Sequence, residues 1–397
     1  MPEKLKIGLA TAGLPSGGST SFLLNLASGL HSLGIPSQVY SFSNENPMAA
    51  DFAAAGIPVH TADESKLIYE DRLAKLYQTI AKFEPTVVIA SLGAEAFETL
   101  RYLPPGVTRV AMVHEWGMHS LPPRYAKNLD AVVVVNPSWV ERANQLTPGA
   151  ACRYIAHGIP LPEPELVRDP NSAKPLNLTY FGRLVWTKGT RLFPAIIKEL
   201  HRREVPFRWA IYGNGPDESY VRESLAAEIR AGNVVVSPHI SRSDLFRMIR
   251  KHDVFIMASE HEGGPLTLLE AMSLGLVPIC NDTPCLVQEV VNSKNGFIIP
   301  REPAKYAEML SLLHRDRPRL ESMSANARRT ITEQYSLRAM AERYAEFFIS
   351  LASGPAAVLW PRSISPKPIR GLKFWGQLSQ GLGFVRQARR ILRRVRH

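Results

Sequence analysis

The chain is poor in cysteine. Its 397 residues include three, Cys152, Cys280 and Cys285. That is too few for a disulfide scaffold, and Cys280 and Cys285 lie in one apolar-then-loop stretch with no further His or Cys partners at zinc spacing. The usage fits a reducing compartment. No run of about 18 apolar residues occurs, which excludes a helix that spans a membrane. The opening Met1-Pro-Glu-Lys-Leu-Lys leads straight into a strand-like segment, so no signal peptide is expected. No Asp-x-Asp pair occurs anywhere, and such a pair of hard oxygen ligands commonly holds a divalent ion. No Ser-His-Asp or Cys-His arrangement calls for a hydrolase.

Acidic residues are also missing from one end. The whole chain has 47 Lys+Arg against 36 Asp+Glu, a net charge of +11. Pro355 to His397 holds ten of the basic residues and no acidic one, so the remainder has 37 against 36. A nearly neutral body argues against a nucleic-acid-binding core, which would carry its basic patch on the folded domain. A cationic appendage points to an anionic surface as partner.

At 45% hydrophobic and 21% charged, the chain is ordinary for a globular protein, long enough for two to three domains. Short apolar runs alternate with helix-length amphipathic segments. Strands are expected at Ile7–Thr11, Ser37–Phe42, Thr86–Ala90, Arg109–Val113, Ala131–Val135 and Arg153–Ala156. A second series runs Leu176–Phe181, Arg208–Tyr212, Val234–Ser237, Val254–Ala258, Val277–Cys280 and Phe297–Ile299. Their near-continuous Val/Ile content suits parallel strands buried on both faces. Helices are expected between them, among them Ser19–Leu33, Lys66–Phe83, Ser138–Leu146, Thr190–Arg202, Glu218–Arg230, Arg242–His252, Leu266–Leu274 and Pro284–Asn292. Helical segments near 304–315, 317–335 and 337–353 follow. The pattern is α/β: two Rossmann-like doubly wound parallel-sheet domains. The first spans 1–160. A proline-rich linker, 161–175, leads to the second at 176–336. A helix at 337–353 has the option of crossing back to the first domain, and 354–397 is a basic tail. Ligand is expected in the cleft beyond the carboxyl ends of both sets of strands.

Two segments carry chemistry. Thr11-Ala-Gly-Leu-Pro-Ser-Gly-Gly-Ser-Thr20 follows the first strand and opens a helix. Gly17 and Gly18 there would let backbone amides approach an anion, although the loop matches no full phosphate-binding fingerprint. The other is Glu260-His-Glu-Gly-Gly-Pro-Leu-Thr-Leu-Leu-Glu-Ala-Met-Ser-Leu-Gly-Leu-Val-Pro278. It places Glu262 in a loop after a strand and Glu270 one or two turns into a helix, with a Gly-Gly-Pro break between them. The bare spacing of two Glu is common. The strand, acidic loop, Gly-Gly-Pro, Glu-Ala-Met and Val-Pro together are specific.

This stretch resembles the E-x7-E signature of retaining, nucleotide-sugar-dependent glycosyltransferases of family 4, which have the GT-B fold. Phe181-Gly-Arg-Leu-Val-Trp-Thr-Lys-Gly189 is similar to the family's Gly-Arg-Leu…Lys-Gly segment. Tyr212-Gly-Asn-Gly-Pro216 resembles its Gly-x-Gly-Pro turn, which brings in Asn214. His157-Gly-Ile-Pro160 resembles its Asn-Gly-Ile/Val turn, with His where Asn is usual, taken here as a tolerated turn residue. Asn281-Asp-Thr-Pro…Gln288-Glu289 and Asn295-Gly-Phe297 resemble the turns that follow. The likeness covers about residues 5–350.

The resemblance implies a role for each residue. Arg183 and Lys188 would hold the donor diphosphate and neutralise the charge that grows on it as the glycosidic bond breaks. Glu270 would grip a ribose diol. Glu262 would sit beside the donor sugar. Amides of Gly263, Gly264, Pro265 (through its neighbours), Leu266 and Thr267 would line sugar and phosphate, and the backbone at Ile240 would meet the base. His114, at the end of a first-domain strand, would contact the transferred sugar, with Glu115, Trp116 and His119 shaping the acceptor side. His261, between the two acidic residues, would perturb Glu262 if both were buried.

The implied activity is retaining transfer of a sugar from a nucleoside diphosphate to a glycan or lipid-linked acceptor, in the assembly of envelope polysaccharide, lipopolysaccharide or glycolipid. No metal and no cofactor are expected, since cations and helix dipoles would replace the ion. The favoured chemistry is front-face substitution, with the leaving phosphate oxygen taking the acceptor's proton. The alternatives are a nucleotide-sugar epimerase of the same fold and a non-catalytic relative that binds sugar nucleotide. In the tail, Phe384, Val385, Ala388, Ile391, Leu392 and Val395 share one face of a helix. Arg386, Arg389, Arg390, Arg393, Arg394 and Arg396 share the other. That is the composition of an interfacial helix on anionic lipid, at about 1 kcal/mol per cation. Rival readings are nucleic acid, a partner groove, or docking back onto the enzyme. No nucleic-acid partner is expected. The expected location is cytoplasmic, peripheral on the inner face of the cytoplasmic membrane.

Overall fold

The computed structural model describes residues 5–43, 46–62, 69–114, 121–163, 175–238, 240–283, 291–351 and 358–366. The elements of the first half are β1 (Ile7–Thr11), α1 (Gly18–Ser32), β2 (Ser37–Ser41), α2 (Ala49–Ala54), β3 (Val59–Thr61) and α3 (Tyr69–Phe83). Then come β4 (Val87–Leu92), α4 (Gly93–Leu100), β5 (Thr108–Val113), α5 (Leu121–Tyr125), β6 (Ala131–Val134), α6 (Val140–Leu146) and β7 (Ala151–Tyr154). The strands pair in parallel in the order β3-β2-β1-β4-β5-β6-β7. Strands β1 and β6 are buried at every residue, as a central strand covered on both faces must be.

The second half contributes β8 (Leu176–Phe181), α7 (Phe193–Arg202), β9 (Phe207–Tyr212), α8 (Glu218–Ser224), α9 (Ala226–Arg230), β10 (Val234–Ser237) and α10 (Arg242–Ile249). It continues with β11 (Val254–Met257), α11 (Leu266–Ser273), β12 (Val277–Asn281), β13 (Phe297–Ile299), α12 (Pro303–Arg315), α13 (Arg317–Gln334) and α14 (Leu337–Leu351). These strands are also parallel, ordered β10-β9-β8-β11-β12-β13. Each sheet reverses its winding once, at β1/β4 and at β8/β11. Ligands of doubly wound sheets sit beyond the carboxyl ends of strands at such points.

Helix α14 leaves the second domain and joins the core of the first, where Met340, Ala341, Tyr344, Phe347 and Phe348 are buried. It packs against α1 closely enough that a Cβ on Gly29 would stand 2.6 Å from the Leu337 carbonyl oxygen and 3.0 Å from the Ala341 Cβ. The two crossings between domains run side by side. Ile159 bridges to Ser336, with Ile159 N–H donating to the Tyr335 carbonyl and Leu337 N–H to the Ile159 carbonyl. Past α14, residues 358–366 return along the first domain. Val358, Trp360 and Ile364 lie on its core, with the Trp360 ring 6.2 Å from that of Tyr77.

Several elements differ from expectation. The sequence gives no warning of α2, β3, α4 or α5. Strand β3 is three residues at the sheet edge and is not fully buried, so no apolar run marks it. Helix α4 starts at Gly93 straight after β4 with no side-chain cap, so there is no start signal to read. The helix expected over 218–230 breaks into α8 and α9, α10 stops at Ile249 rather than His252, and the first turn of the 138–146 helix is a 3-10 turn. The helix expected at 284–292 lies almost wholly outside the described residues, as do Cys285, most of the linker and the tail from 367.

Gly29→Val tests the α1–α14 contact. The added methyl groups would collide with backbone, and overpacking of this kind costs about 1–3 kcal/mol. Denaturant unfolding is expected to show a loss of that size.

Candidate active site

The loops beyond β8 and β11 build one wall of the cleft. After β8 the chain makes a short 3-10 turn, Trp186–Lys188, then Gly189 in a left-handed conformation, φ 78°, before the turn that opens α7. Gly189 is required twice over. Its φ suits glycine, and a Cβ there would stand 2.2 Å from the Ala258 carbonyl oxygen. The turn is pinned to the next loop, where Glu260 N–H donates to the Thr187 carbonyl at 2.8 Å. That brings Lys188 onto Glu262: Nζ lies 2.7 Å from Oε1, and the carboxylate is largely buried. Arg183 is exposed and makes no ion pair among the described residues. Leu184 N–H donates to the Asn214 carbonyl at 2.9 Å, so Asn214 sits beside the Arg183 loop, its side chain exposed and donating to Glu218 at 3.3 Å.

Pro265 has extended backbone and caps α11, leaving the first amides of the helix without intrahelical partners. Leu266 is buried against the apolar cluster, Thr267 is half-buried, and Ile240 packs against the same cluster. Glu270 is not solvated. Arg242, the first residue of α10, donates from Nη2 to its Oε1. A ribose diol would therefore meet one free carboxylate oxygen rather than two. Nearby, Glu260 is bridged at 3.0 Å by Arg301, whose Nε donates to the Ala258 carbonyl.

The first domain supplies the opposite wall. Ser91, at the end of β4, and His114, just after β5, are 2.7 Å apart, Oγ to Nε2, in a hydrogen bond whose direction follows the imidazole tautomer. The other ring nitrogen of His114 is buried and unbonded among the described residues. Phe22, one turn into α1, packs its ring 5.0 Å from His114 and 4.7 Å from His157. His157 is thus no tolerated turn residue. It is 4% exposed, wedged between Phe22 and the Gly264 backbone, with Nδ1 facing that backbone without a well-formed hydrogen bond. Burial lowers the pKa of both rings, that of His114 to about 3 with the His157 charge adding to it, and that of His157 to about 4. Both are neutral at pH 7.

The walls touch at Gly263 and Gly264. A Cβ on Gly263 would stand 2.5 Å from the His114 carbonyl oxygen, and one on Gly264 3.0 Å from His157 Nδ1. The Asn136 amide donates to the Glu262 carbonyl at 3.3 Å across the same seam. The structure therefore brings Lys188, Glu262, Gly263, Gly264 and His114 together. Gly17 and Gly18, at the opening of α1, are both exposed, with nothing within 4 Å of a Cβ added at either. Glu115, Trp116, His119 and the tail residues Phe384, Arg386, Arg389, Arg390, Arg393 and Arg394 lie outside the described residues. Sequence reasoning missed Arg242, Ser91 and Phe22. Ser91 had a signal, as the last inward residue of the strand beside His114's. Arg242 had none, since its partner is 28 residues away. Among the described residues no group of His, Cys, Asp or Glu could hold a metal ion, and no helix is long and apolar enough to cross a membrane.

Two facing parallel-sheet domains with their loops converging on one cleft define the GT-B architecture. Residues 164–330 match the family model of glycosyl transferases group 1. A GDP-mannose:cellobiosyl-diphosphopolyprenol alpha-mannosyltransferase of Xanthomonas oryzae pv. oryzae is 31% identical over 132 residues, 33% of this chain and 35% of that protein. A putative colanic acid biosynthesis glycosyltransferase, WcaL, of Salmonella typhimurium is 27% identical over 176 residues, 42% and 43%. The matches thus span well under half the length of these relatives. In fold, the chain is similar to Anabaena Alr3699/HepE solved in complex with UDP, with a TM-score of 0.69, 16% identity, and coverage of 87% of this chain and 100% of that one.

The buried imidazoles make stability depend on pH. Unfolded His takes up a proton near pH 6.5, whereas His114 and His157 do so only near 3 and 4. Between those values the unfolded state binds more protons, so stability is full above about 6.5 and falls as pH drops, by up to about 1.4 kcal/mol per pH unit per group. Urea midpoints at pH 7 and pH 5 should show the fall, and His157→Asn should flatten it.

Proposed function

We propose that the protein is a retaining, metal-independent glycosyltransferase that moves a sugar from a nucleoside diphosphate to a glycan or lipid-linked acceptor. The observation that carries this reading is the Lys188–Glu262 ion pair at the β8/β11 switch point, with Arg183 exposed beside it. A diphosphate entering there gains two cations and the opening of α7. Lys188 then turns from Glu262 to phosphate, and Glu262 is released to accept from a hydroxyl of the donor sugar. His114, neutral and held by Ser91, stands on the other wall of the same cleft, where it would pack against the transferred sugar.

As the glycosidic bond breaks, charge collects on the leaving diphosphate, where Arg183 and Lys188 stabilise it. The acceptor hydroxyl attacks from the same face and its proton passes to the leaving phosphate oxygen. No carboxylate nucleophile is needed, and the cations do the work a divalent metal does elsewhere. The naming of a diphosphopolyprenol acceptor in the Xanthomonas relative supports a lipid-linked acceptor here. The ten cations of the tail, with no acid among them, support a peripheral position on the inner, cytoplasmic face of the membrane.

Incubation with labelled UDP-, GDP- and ADP-sugars and a lipid-linked saccharide extract tests the site. Arg183→Ala and Lys188→Ala should each slow donor turnover about 100- to 1000-fold, and a chelator should leave the rate unchanged. Wild-type rates in both variants overturn the assignment. For the tail, flotation with anionic vesicles should fall when Arg386, Arg389, Arg390, Arg393 and Arg394 are all replaced by Ser. Equal flotation removes the membrane from the reading.

A further inference from the structure

The ion pair between Arg242 and Glu270 is not accounted for by any role assigned so far. It joins the start of α10 to the second turn of α11. Arg242 is not free to wander. Ser241 caps α10, accepting the Asp244 N–H and donating from Oγ to the Asp244 carboxylate at 2.6 Å, which fixes the first turn on which Arg242 stands. Its guanidinium carbon lies 5.8 Å from the centre of the buried Phe246 ring. The cation is thus held between an aromatic ring and a carboxylate whose side chain is only 13% exposed.

A carboxylate has two oxygens and about four lone-pair directions. Arg242 takes one oxygen of Glu270. The other carries no hydrogen bond among the described residues. An unpaired Glu at this position would be free to rotate, and it would add a second negative charge to a cleft that is to receive a polyanion. Pairing removes both difficulties. It holds one carboxylate oxygen in place, and it leaves the site's two glutamates, Glu262 and Glu270, each matched by one cation.

We propose that Arg242 is a positioning residue for nucleoside recognition: it holds Glu270 so that the free oxygen meets a ribose hydroxyl, and so sets the preference for ribose over a sugar without hydroxyls. This rests on the nucleotide-sugar reading of the site. A group that hydrogen-bonds a substrate hydroxyl from a largely buried position rejects the analogue lacking it, because the group is then left unpaired. An oriented carboxylate rejects it more strongly than a mobile one.

The test is calorimetric titration of the full-length protein with UDP, GDP and ADP, then with the 2′,3′-dideoxy analogue of the tightest of the three. Wild type should bind the ribonucleotide at least about tenfold more tightly than the analogue. Arg242→Ala should weaken ribonucleotide binding and leave the dideoxy analogue nearly unchanged, so the ratio collapses towards one. Arg242→Lys, which keeps the charge but not the fork, should restore part of it. Glu270→Gln should collapse the ratio by itself, and adding Arg242→Ala to it should change the ratio no further. A thermal midpoint within a few degrees of wild type shows that each variant is folded. An unchanged ratio in Arg242→Ala overturns the inference alone, as does an equal loss for both ligands, which would mean that Arg242 acts on phosphate or base. If wild type binds none of the three diphosphates, the nucleotide reading falls and the inference falls with it.

Discussion

Two domains share a ligand only if their strand ends are held at a fixed separation, and here backbone sets that separation. Gly263 lies against the His114 carbonyl, too close for any side chain, and Gly264 against His157, where even a methyl group would be tight. The acidic loop is thereby laid along the carboxyl edge of the first sheet, and the Asn136 amide fastens it. Everything else in the cleft is positioned from this seam. Glu262 precedes it by one residue, α11 begins directly after it, and the His114–Ser91 pair stands on the far side. The seam is apolar at depth, with Phe22 packed against both imidazoles, and their burial keeps both rings uncharged.

Around that neutral seam the charges are arranged in pairs. Glu260, Glu262 and Glu270 lie within eleven residues of sequence, and each is matched by a cation from elsewhere: Arg301, Lys188 and Arg242. Without partners, three acids so close would repel both one another and an anionic ligand. With them, Arg183 remains as exposed positive charge at the mouth. The loop carries acids for hydrogen bonding without making the cleft hostile to phosphate.

Much of this was legible in the chain. Several strands were readable from short apolar runs bounded by turn residues: β1, buried at every residue, and β8, β10 and β13 fall at the expected residues. The Gly-Gly-Pro break read as a loop meeting a helix because proline and glycine restrict backbone locally. What stayed hidden was set by distant partners. Nothing near Arg242 announces Glu270, and nothing in His157-Gly-Ile-Pro160 says that the imidazole is buried against an aromatic ring from α1. A turn reads as exposed until its packing partner is known. Edge elements such as β3 were hidden for another reason: too short to show a period, they are stabilised by the sheet they join rather than by their own composition.

The side-by-side crossing of Ile159 and Ser336 has a mechanical consequence. Two backbones hydrogen-bonded to each other form a ribbon, and a ribbon bends across its flat face far more easily than within its plane. The two crossings thus pass between the domains as one paired element, tied by two backbone hydrogen bonds, rather than as two separate strings. Met340 accepts the Gly158 N–H at that place, so the ribbon is anchored to the first domain rather than floating between the two.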